Sequence, residues 1–205
     1  TTRKAIKINP DFAIAYSNLA IILKDLGKLQ EAELATRKAI EIKPDYSEAY
    51  SNLAIILKDL GKLQDAVLSY LNAIEHNPNI ADFHYNLGNV LKDLGKLQEA
   101  ELALRKAIKL NPDFADAHLN LGNILRELGK LQEAELSYRK VIEIKPDLPN
   151  AYSNLGSILC DLGNLKDAEF LYQKGLEVDP NNKLINNNLI SLLSIYEPKI
   201  LSINL

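Results

Sequence analysis

The stretch that decides the fold is residues 49–64, AYSNLAIILKDLGKLQ, because residues 15–30 have the identical sequence. The two copies begin 34 residues apart, and eight of the nine glycines and six of the eight prolines keep the same interval. The glycines that end each repeated segment are Gly27, Gly61, Gly95, Gly129 and Gly163. Self-similarity at a period of about 20–50 residues indicates a repeat architecture, in which copy number sets the length of the chain.

The composition excludes several classes of protein. With 47% hydrophobic residues the chain is too apolar to be disordered, yet no apolar run reaches the roughly 18 residues of a membrane-spanning helix. A single cysteine cannot form a disulfide framework. A pI of about 5.7 argues against a nucleic-acid partner, which requires a basic patch or stripe. We therefore expect no nucleic-acid or membrane partner. No targeting segment is visible, so a cytoplasmic location is the default expectation.

Each period is predicted to form two helices. Gly61 supplies the left-handed residue that commonly ends a helix, a second helix starts near Lys62, and Pro78 blocks its continuation. Asp45 and Glu48, three residues apart, resemble a capping box at the start of the first helix. No segment alternates like a strand, so we predict an all-α chain. The first helix has the amphipathic spacing i, i+3, i+4, i+7 at Tyr50, Leu53, Ala54, Leu57 and Leu60.

Small residues recur where the two helices of one period are expected to face each other. Gly88 with Ala100, and Ala54 with Ala66, are predicted to let the paired helices approach closely. The side chains at a helix–helix contact set the distance between the two axes, which is about 8–10 Å.

This pattern resembles the tetratricopeptide repeat (TPR) family over nearly the whole chain. An aromatic residue or His is followed by Leu, a small residue, the turn Gly, an Ala and the closing Pro, as at Tyr50, Leu53, Ala54, Gly61, Ala66 and Pro78. The resemblance implies a right-handed α-solenoid of antiparallel helix-turn-helix repeats. It also implies that the first helices line a concave surface that holds extended peptides.

The period divides the chain into five repeats and two incomplete ends. We predict TPR units at 13–46, 47–80, 81–114, 115–148 and 149–182. Residues 1–12 are interpreted as the remnant of a preceding repeat's second helix, and residues 183–196 as a capping helix. Residues 197–205 depart from the period, and the sequence predicts no structure for them. Since the chain does not begin with Met, we expect it to be a fragment of a longer protein.

Asparagine occupies one register position of every first helix. Asn is a poor residue inside a helix, because its side chain competes for backbone hydrogen bonds. A row of amides could pair with the backbone of any peptide, and it is similar to the asparagine ladder in the TPR arm of O-linked N-acetylglucosamine transferases. Alternatively, each amide bonds to an adjacent repeat and fixes the twist. The residues are Asn18, Asn52, Asn86, Asn120, Asn154 and Asn188.

Carboxylates also recur near this register. Glu48, Asp82 and Asp116 precede their asparagines by one turn, and a second set follows two turns later. These groups could select basic residues on a bound peptide. Alternatively, they could be solvated or pair with the cations beside them, Lys24, Lys58, Lys92 and Arg126. The second set is Asp25, Asp59, Asp93, Glu127 and Asp161.

One position of the predicted groove changes along the array. Ile21 and Ile55 are replaced later by Asn89, Asn123 and Ser157. A peptide with an apolar anchor at one end would fit, or the isoleucines could contact a neighbouring first helix. TPR domains that clamp carboxylates use Lys and Arg on this face, and this chain has Ser17, Ser51, Ser153, Ile14 and Glu48 over much of it. That specificity is therefore not expected.

No residue set predicts catalysis, a metal site or a cofactor. His84 and His118 replace Tyr at a packing position, and two histidines are fewer than the three or four ligands of a zinc site. His76 is interpreted as a helix cap or a solvated residue. Cys160 has no histidine in its own or the next repeat to act as its base.

Three functions remain open from the sequence. The leading hypothesis is a non-catalytic module that binds an extended peptide, basic or polar with an apolar anchor, through the asparagines. The second is the substrate-recruiting arm of a larger enzyme, such as a glycosyltransferase. The third is a scaffold that forms a homo-oligomer through its terminal helices, where residues 183–205 retain apolar side chains that the repeat does not need.

Overall fold

The computed structural model describes residue 9 and residues 12–201, with side chains described as far as residue 195. Eleven helices and no strand occur in these residues, which confirms the predicted all-α class. None of the described helices is both long and apolar enough to cross a membrane. The helices are α1 Ala13–Asp25, α2 Leu29–Ile42, α3 Ser47–Asp59, α4 Leu63–His76, α5 Ala81–Asp93, α6 Leu97–Leu110, α7 Ala115–Glu127, α8 Leu131–Ile144, α9 Pro149–Asp161, α10 Leu165–Val178 and α11 Lys183–Leu201.

The chain forms two compact units, residues 1–112 and residues 113–205. In the first unit α1 pairs with α2, α3 with α4 and α5 with α6, and each pair contacts the next. In the second unit α7 pairs with α8 and α9 with α10, and α11 packs on both α9 and α10. Successive helix pairs of this kind are the architecture of an α-solenoid, as predicted.

The turn inside each pair is a Schellman motif, which explains the periodic glycine. At Gly61 the backbone has φ of +74°, a left-handed conformation that glycine adopts without a Cβ penalty. The Gly61 N–H donates to the Lys58 carbonyl at 2.9 Å, and the Lys62 N–H donates to the Leu57 carbonyl at 2.8 Å. These two bonds satisfy carbonyls that the helix end would leave unpaired. The same pair of bonds recurs in the other four turns.

The capping box predicted at Asp45 and Glu48 is wrong. Helix α3 begins at Ser47, Tyr46 occupies the N-cap position, and no side chain caps the helix. The Glu48 carboxylate instead accepts a hydrogen bond from the hydroxyl of Ser47 at 3.1 Å. A side-chain cap of this type does form at α11, where Asn182 Oδ1 accepts from the Ile185 N–H at 3.2 Å.

Small residues do let the paired helices approach closely. A Cβ added to Gly122 would lie 2.7 Å from Tyr138 Cε1, and one added to Gly88 would lie 2.9 Å from Leu104 Cγ. Contacts under 3.0 Å essentially never occur at a real Cβ atom. The glycine therefore makes room for a large buried side chain of the second helix, which the sequence analysis did not predict. A Cβ at Gly88 would also lie 3.3 Å from the Ala100 backbone oxygen, in agreement with the close approach predicted for Gly88 and Ala100.

The core joins neighbouring repeats as well as the two helices of one repeat. Leu53 and Leu57, which the helical spacing assigned to the core, are buried. Ile56 is buried too, although it lies off the predicted apolar face, because it packs against Ala20, Leu23 and other residues of the preceding helix pair. A helical wheel drawn for one repeat cannot show such a contact.

The ends of the chain differ from the sequence expectation or lie beyond the described residues. The five helix pairs lie inside the units predicted at 13–182, whose boundaries remain a prediction. The proposed helix remnant at 1–12 lies outside the described residues, apart from residues 9 and 12. The last helix continues to Leu201, five residues beyond the predicted end of the capping helix at 196. Residues 202–205 of the proposed tail are not described.

Candidate functional site

The candidate site is the surface formed by the first helix of each pair, which we call the first-helix face. It consists of α1, α3 and α5 in the first unit, and of α7, α9 and α11 in the second. Helix α1 contacts α3, and α9 contacts α11, so first helices of consecutive repeats are neighbours there. The periodic asparagines occupy this face at one register, and all except exposed Asn18 are half-buried.

Two of the asparagines are held by a serine of the preceding repeat. Asn52 Nδ2 donates to Ser17 Oγ at 3.1 Å, and Asn188 Nδ2 donates to Ser153 Oγ at 3.3 Å. In both cases the serine lies 35 residues earlier and is buried. The sequence predicted that both serines lie on the ligand-binding face. That prediction is wrong, because both are buried between adjacent first helices, where their hydroxyl oxygens accept hydrogen bonds from the asparagine amides.

Asn154 shows what happens where this serine is missing. The residue 35 positions earlier is Leu119, which has no hydroxyl group. Asn154 Nδ2 instead donates to Asn123 Oδ1 at 3.3 Å, and the same oxygen accepts a hydrogen bond from Tyr138 Oη at 2.8 Å. The interpretation that an asparagine bonds to an adjacent repeat is therefore correct for Asn52, Asn154 and Asn188.

Some asparagine side-chain amide atoms on this face have no hydrogen-bond partner in the described structure. Among the residues that the structure describes, the side chains of Asn18 and Asn86 form no hydrogen bond, and Oδ1 of Asn52 and Asn154 accepts none. The candidates Asn89 and Asn120 are half-buried and take part in other interactions within the protein. Hydrogen bonds from Nδ2 thus hold the amides of Asn52 and Asn154, whose Oδ1 atoms can still accept a bond. The amides of Asn18 and Asn86 can both donate and accept.

The carboxylates at the ends of the first helices pair across repeats. Asp93 lies 3.0 Å from Lys58 Nζ, and Asp161 lies 3.5 Å from Arg126 Nη2. Each cation belongs to the preceding repeat, whereas the sequence suggested the cation beside the acid. That adjacent pairing does occur between Lys24 and Asp25, at 3.8 Å. These ion pairs link neighbouring first helices and leave less negative charge for a ligand.

The carboxylates one turn before the asparagines are all exposed, but only one of them forms an ion pair with a described residue. Asp116 accepts from Lys145 Nζ at 3.1 Å, so a cation of the protein already occupies it. Glu48 and Asp82 form no ion pair with any described residue. Of the three acidic candidates, these two therefore remain available to a basic group on a ligand.

Two cavities open on the first-helix face, one in each unit. The first, of about 150 Å³, is lined by Ile21, Ile55 and Ile56 together with Lys24 and Asn52. It lies between neighbouring first helices, where the isoleucines line an apolar recess. The second, of about 230 Å³, is more polar, and its lining includes Arg126, Ser157, Tyr172, Asn188 and Leu192.

His84 has a packing role, and His76 lies on the surface. His84 is buried, and its Nε2 lies 2.9 Å from the Pro78 carbonyl, the same bond that Tyr152 Oη donates to the Pro146 carbonyl at 2.8 Å. The imidazole N–H thus replaces the tyrosine hydroxyl, as a core substitution requires. His76 is exposed, in agreement with its interpretation as a solvated residue, and its ring stacks on Tyr50 with centroids 5.4 Å apart.

The Cys160 side chain lies beside two hydroxyl groups of the second unit. The Cys160 thiol lies 3.8 Å from Tyr172 Oη, and the nearby Ser157 hydroxyl lies 3.3 Å from the same oxygen. No group of three or more His, Cys, Asp or Glu among the described residues could hold a metal ion. What the face can do chemically is form hydrogen bonds, ion pairs and apolar contacts.

We expect the buried Tyr138 to make stability sensitive to alkaline pH. Burial raises the pKa of Tyr138 from its ordinary value of 10.0 to about 12, and Arg126 partly opposes this. The neutral phenol is therefore favoured in the folded state, and its contribution to stability is complete below pH 10.0 and is lost as the pH rises to about 12. Urea unfolding at pH 8 and pH 11.5 should show a smaller loss for Tyr138→Phe than for wild type. Equal losses would contradict this assignment.

Family models of the tetratricopeptide repeat match consecutive parts of the chain. They match residues 13–46 and 149–182, residues 35–67, residues 56–95 and residues 85–149. Together the matches extend from residue 13 to residue 182. A search of curated protein sequences found no match.

Solved structures of TPR proteins share this architecture. The chain is similar to YrrB, "a TPR protein with an unusual peptide-binding site", with 26% identity, a TM-score of 0.78, and coverage of 92% of this chain and 97% of YrrB. It is similar to MamA protein, with 27% identity, a TM-score of 0.77 and coverage of 82% and 92%. PilF of Pseudomonas aeruginosa, with 22% identity, a TM-score of 0.77 and coverage of 91% and 85%, shares the fold. The family-model matches over residues 13–182, together with the repeated helix pairs, show that the chain belongs to the tetratricopeptide repeat family.

Proposed function

We propose that this chain is a non-catalytic interaction module whose first-helix face binds an extended peptide. TPR proteins are typical protein-interaction modules, and YrrB is described as having a peptide-binding site. The observation that carries the proposal is the row of asparagines at one register. Asn52 and Asn154 are each held by one hydrogen bond from Nδ2 and keep Oδ1 free to accept, and Asn18 and Asn86 keep the whole amide. The same row resembles the ladder in the TPR arm of O-linked N-acetylglucosamine transferases.

The spacing of the amides suits an extended backbone. Neighbouring helices lie roughly 10 Å apart. An extended peptide advances about 3.3 Å per residue. Within each unit, one asparagine would therefore meet about every third residue of the ligand. Because an amide both donates and accepts, it can pair with a peptide group regardless of the side chain.

The hydrogen bonds to the preceding repeat favour binding, since they orient the amides in advance. Immobilising a flexible side chain on binding costs about 0.5–1.5 kcal/mol. Asn52 is already held by its bond from Nδ2 to Ser17 Oγ, and its Oδ1 remains able to accept from a peptide N–H. An asparagine can therefore bond to the preceding repeat through Nδ2 and still pair with a peptide backbone through Oδ1.

Two other features define the ligand that we propose. The recess lined by Ile21 and Ile55 has a volume of about 150 Å³ and would take one apolar side chain. Glu48 and Asp82 are exposed acids without an ion pair among the described residues, and would favour a basic side chain nearby. The ligand is therefore an extended peptide, basic or polar, with one apolar anchor.

Alanine at Asn18 and Asn86 is expected to weaken binding of such a peptide about tenfold. These two side chains form no hydrogen bond in the described structure, so their removal should leave the fold intact. Each hydrogen bond to a ligand is worth about 0.5–1.5 kcal/mol, and tenfold corresponds to about 1.4 kcal/mol. Peptides selected from a displayed random library against the wild type would be titrated by calorimetry against Asn18→Ala/Asn86→Ala.

The matched control is Asn72→Ala, which removes the same group from a second helix of the same unit. Asn72 Nδ2 donates to the Leu68 carbonyl of its own helix, at 2.8 Å, away from the first-helix face. Affinity should be unchanged in this variant. The proposal fails if the selection yields no extended ligand, or if the double variant binds the selected peptides as tightly as the wild type.

A further inference from the structure

The two cavities of the first-helix face lie at equivalent positions of the repeat. Each residue that lines the cavity of the first unit has a counterpart four 34-residue periods later, and all of these counterparts line the cavity of the second unit. The pairs are Ile21 and Ser157, Lys24 and Cys160, Asn52 and Asn188, Ile55 and Ser191, and Ile56 and Leu192. The same recess between two first helices therefore occurs in each unit, with different side chains on its walls.

Both cavities have on one wall an asparagine that the preceding repeat holds in the same way. Asn52 Nδ2 donates to Ser17 Oγ at 3.1 Å, and Asn188 Nδ2 donates to Ser153 Oγ at 3.3 Å. In each case Oδ1 accepts no hydrogen bond from a residue that the structure describes. Each cavity therefore has a fixed amide oxygen that can accept a bond from a ligand.

The residues beside the asparagine differ in polarity between the two cavities. Ile21 and Ile55 give the first cavity hydrocarbon walls, whereas Ser157 and Ser191 place two hydroxyl groups in the second. The Ser191 hydroxyl forms no hydrogen bond with any described residue, so it can both donate and accept. An aliphatic side chain in the second cavity would cover these polar groups without pairing them, which costs free energy.

The charges that line the second cavity compensate each other. Arg126 and Asp161 are the charged residues of its lining in the described part of the chain, and Arg126 Nη2 lies 3.5 Å from the Asp161 carboxylate. A charged group of a ligand would compete with this pair, and enclosing a charge without its own counter-ion is unfavourable. The second cavity therefore favours an uncharged group that both donates and accepts hydrogen bonds.

A carboxamide side chain meets these requirements. Its NH2 group can donate to Asn188 Oδ1, and its oxygen can accept from the Ser191 hydroxyl. Leu192 and Ile195 also line the cavity, and they would contact the methylene groups of a glutamine. No such partners exist for a carboxamide beside Ile21 and Ile55, so the two cavities should select different side chains.

We infer that the second cavity is a subsite for a glutamine or asparagine side chain of a bound peptide. The residues at the register of Ile21 and Ile55 thus set the side-chain specificity of each cavity. The inference rests on the proposed peptide binding and adds to it a selectivity that differs between the two units. A peptide need occupy only one of the cavities.

The test compares leucine with glutamine, which are similar in size, at each position of peptides selected from a displayed random library against the full 205-residue chain. Calorimetry should identify a position at which glutamine binds about tenfold more tightly than leucine, the effect of pairing a hydrogen-bonding group that leucine leaves unpaired. Ser157→Ile/Ser191→Ile should reverse that preference in favour of leucine. The second repeat already combines isoleucine at this register, Ile55, with Tyr70 at the position of Tyr172, so the fold should accommodate the change.

The single cysteine of the chain provides a second readout. Cys160 lines the second cavity, so it should react more slowly with a thiol reagent when a glutamine-containing peptide saturates the wild type. The matched control is Ile21→Ser/Ile55→Ser, which makes the reverse exchange in the first cavity. This variant should leave both the glutamine preference and the protection of Cys160 unchanged.

Three results would overturn the inference. They are the lack of any position that favours glutamine, a glutamine preference that survives Ser157→Ile/Ser191→Ile, and a Cys160 thiol that reacts as fast in the complex as in the free chain. If the double variant fails to fold, Ser191→Ile alone, at an exposed position, should still lower the preference. The proposed function would stand after these results if Asn18→Ala/Asn86→Ala weakens binding, whereas a selection that yields no peptide would overturn both.

Discussion

Truncation of Tyr138 to alanine is expected to lower the free energy of unfolding by about 3–5 kcal/mol, the usual cost of deleting a buried aromatic ring. The ring is 1% exposed and fills the space that Gly122 leaves on the facing helix. Its hydroxyl also donates to Asn123 Oδ1 at 2.8 Å. Urea unfolding followed by circular dichroism would measure the loss.

Tyr138→Phe separates the ring from the hydroxyl group. It keeps the packing and removes one hydrogen bond, which is worth about 0.5–1.5 kcal/mol. Asn123 Oδ1 still accepts from Asn154 Nδ2, at 3.3 Å, so the amide is not left without a partner. Equal destabilisation by phenylalanine and alanine would mean that the hydrogen bond, and not the packing against Gly122, stabilises this helix pair.

Alanine at Gly156 is expected to destabilise the second unit, although alanine is the better helix former. The new Cβ would lie 2.5 Å from Cε1 and 2.8 Å from Cδ1 of the buried Tyr172 ring. Overpacking of this kind costs about 1–3 kcal/mol. The gain in helix propensity is about 1 kcal/mol, so a net loss of up to about 2 kcal/mol remains. For a chain of this size each kcal/mol lowers Tm by about 2–4 °C.

Gly175→Ala is the matched control for that substitution. Gly175 is also a buried helical glycine of the second unit. Its Cβ would meet Ile185 Cδ1, the flexible end of a side chain, at 2.7 Å, and Tyr152 Cβ at 3.1 Å, a contact that a shift of a few tenths of an ångström relieves. Three other repeats have alanine at this position, as Ala39, Ala73 and Ala107. We expect a Tm equal to or above that of wild type. A similar loss in both variants would show that helix packing is not what selects Gly156.

The fold was predictable because the residues of a single repeat define its helices and the turn between them. The spacing of Leu53 and Leu57, the glycine at 61 and the proline at 78 define two helices and the turn between them without information from elsewhere in the chain. The structure confirms the turn geometry and the close approach at Gly88. Local signals were weaker at helix starts, where the apparent capping box of Asp45 and Glu48 did not form.

The sequence predicted which positions form the candidate site, but it did not predict the contacts that those residues make. The recurring asparagines could be read from the period, but their partners could not, because a helical wheel describes one repeat and the partners belong to the preceding one. Ser17 for Asn52, Lys58 for Asp93 and the burial of Ile56 are all contacts of this kind. A comparison of positions 35 residues apart would have found the serine.

The measurement that tests the central claim most directly is an amide NMR titration of the isotopically labelled chain with a selected peptide. The proposal predicts that the side-chain amide signals of Asn18 and Asn86, and the backbone signals of Ile21 and Ile55, shift as the peptide saturates the protein. Signals of the second helices, such as those around Leu34 and Leu102, should stay in place. Shifts confined to the second helices, or to the turns, would contradict a peptide site on the first-helix face.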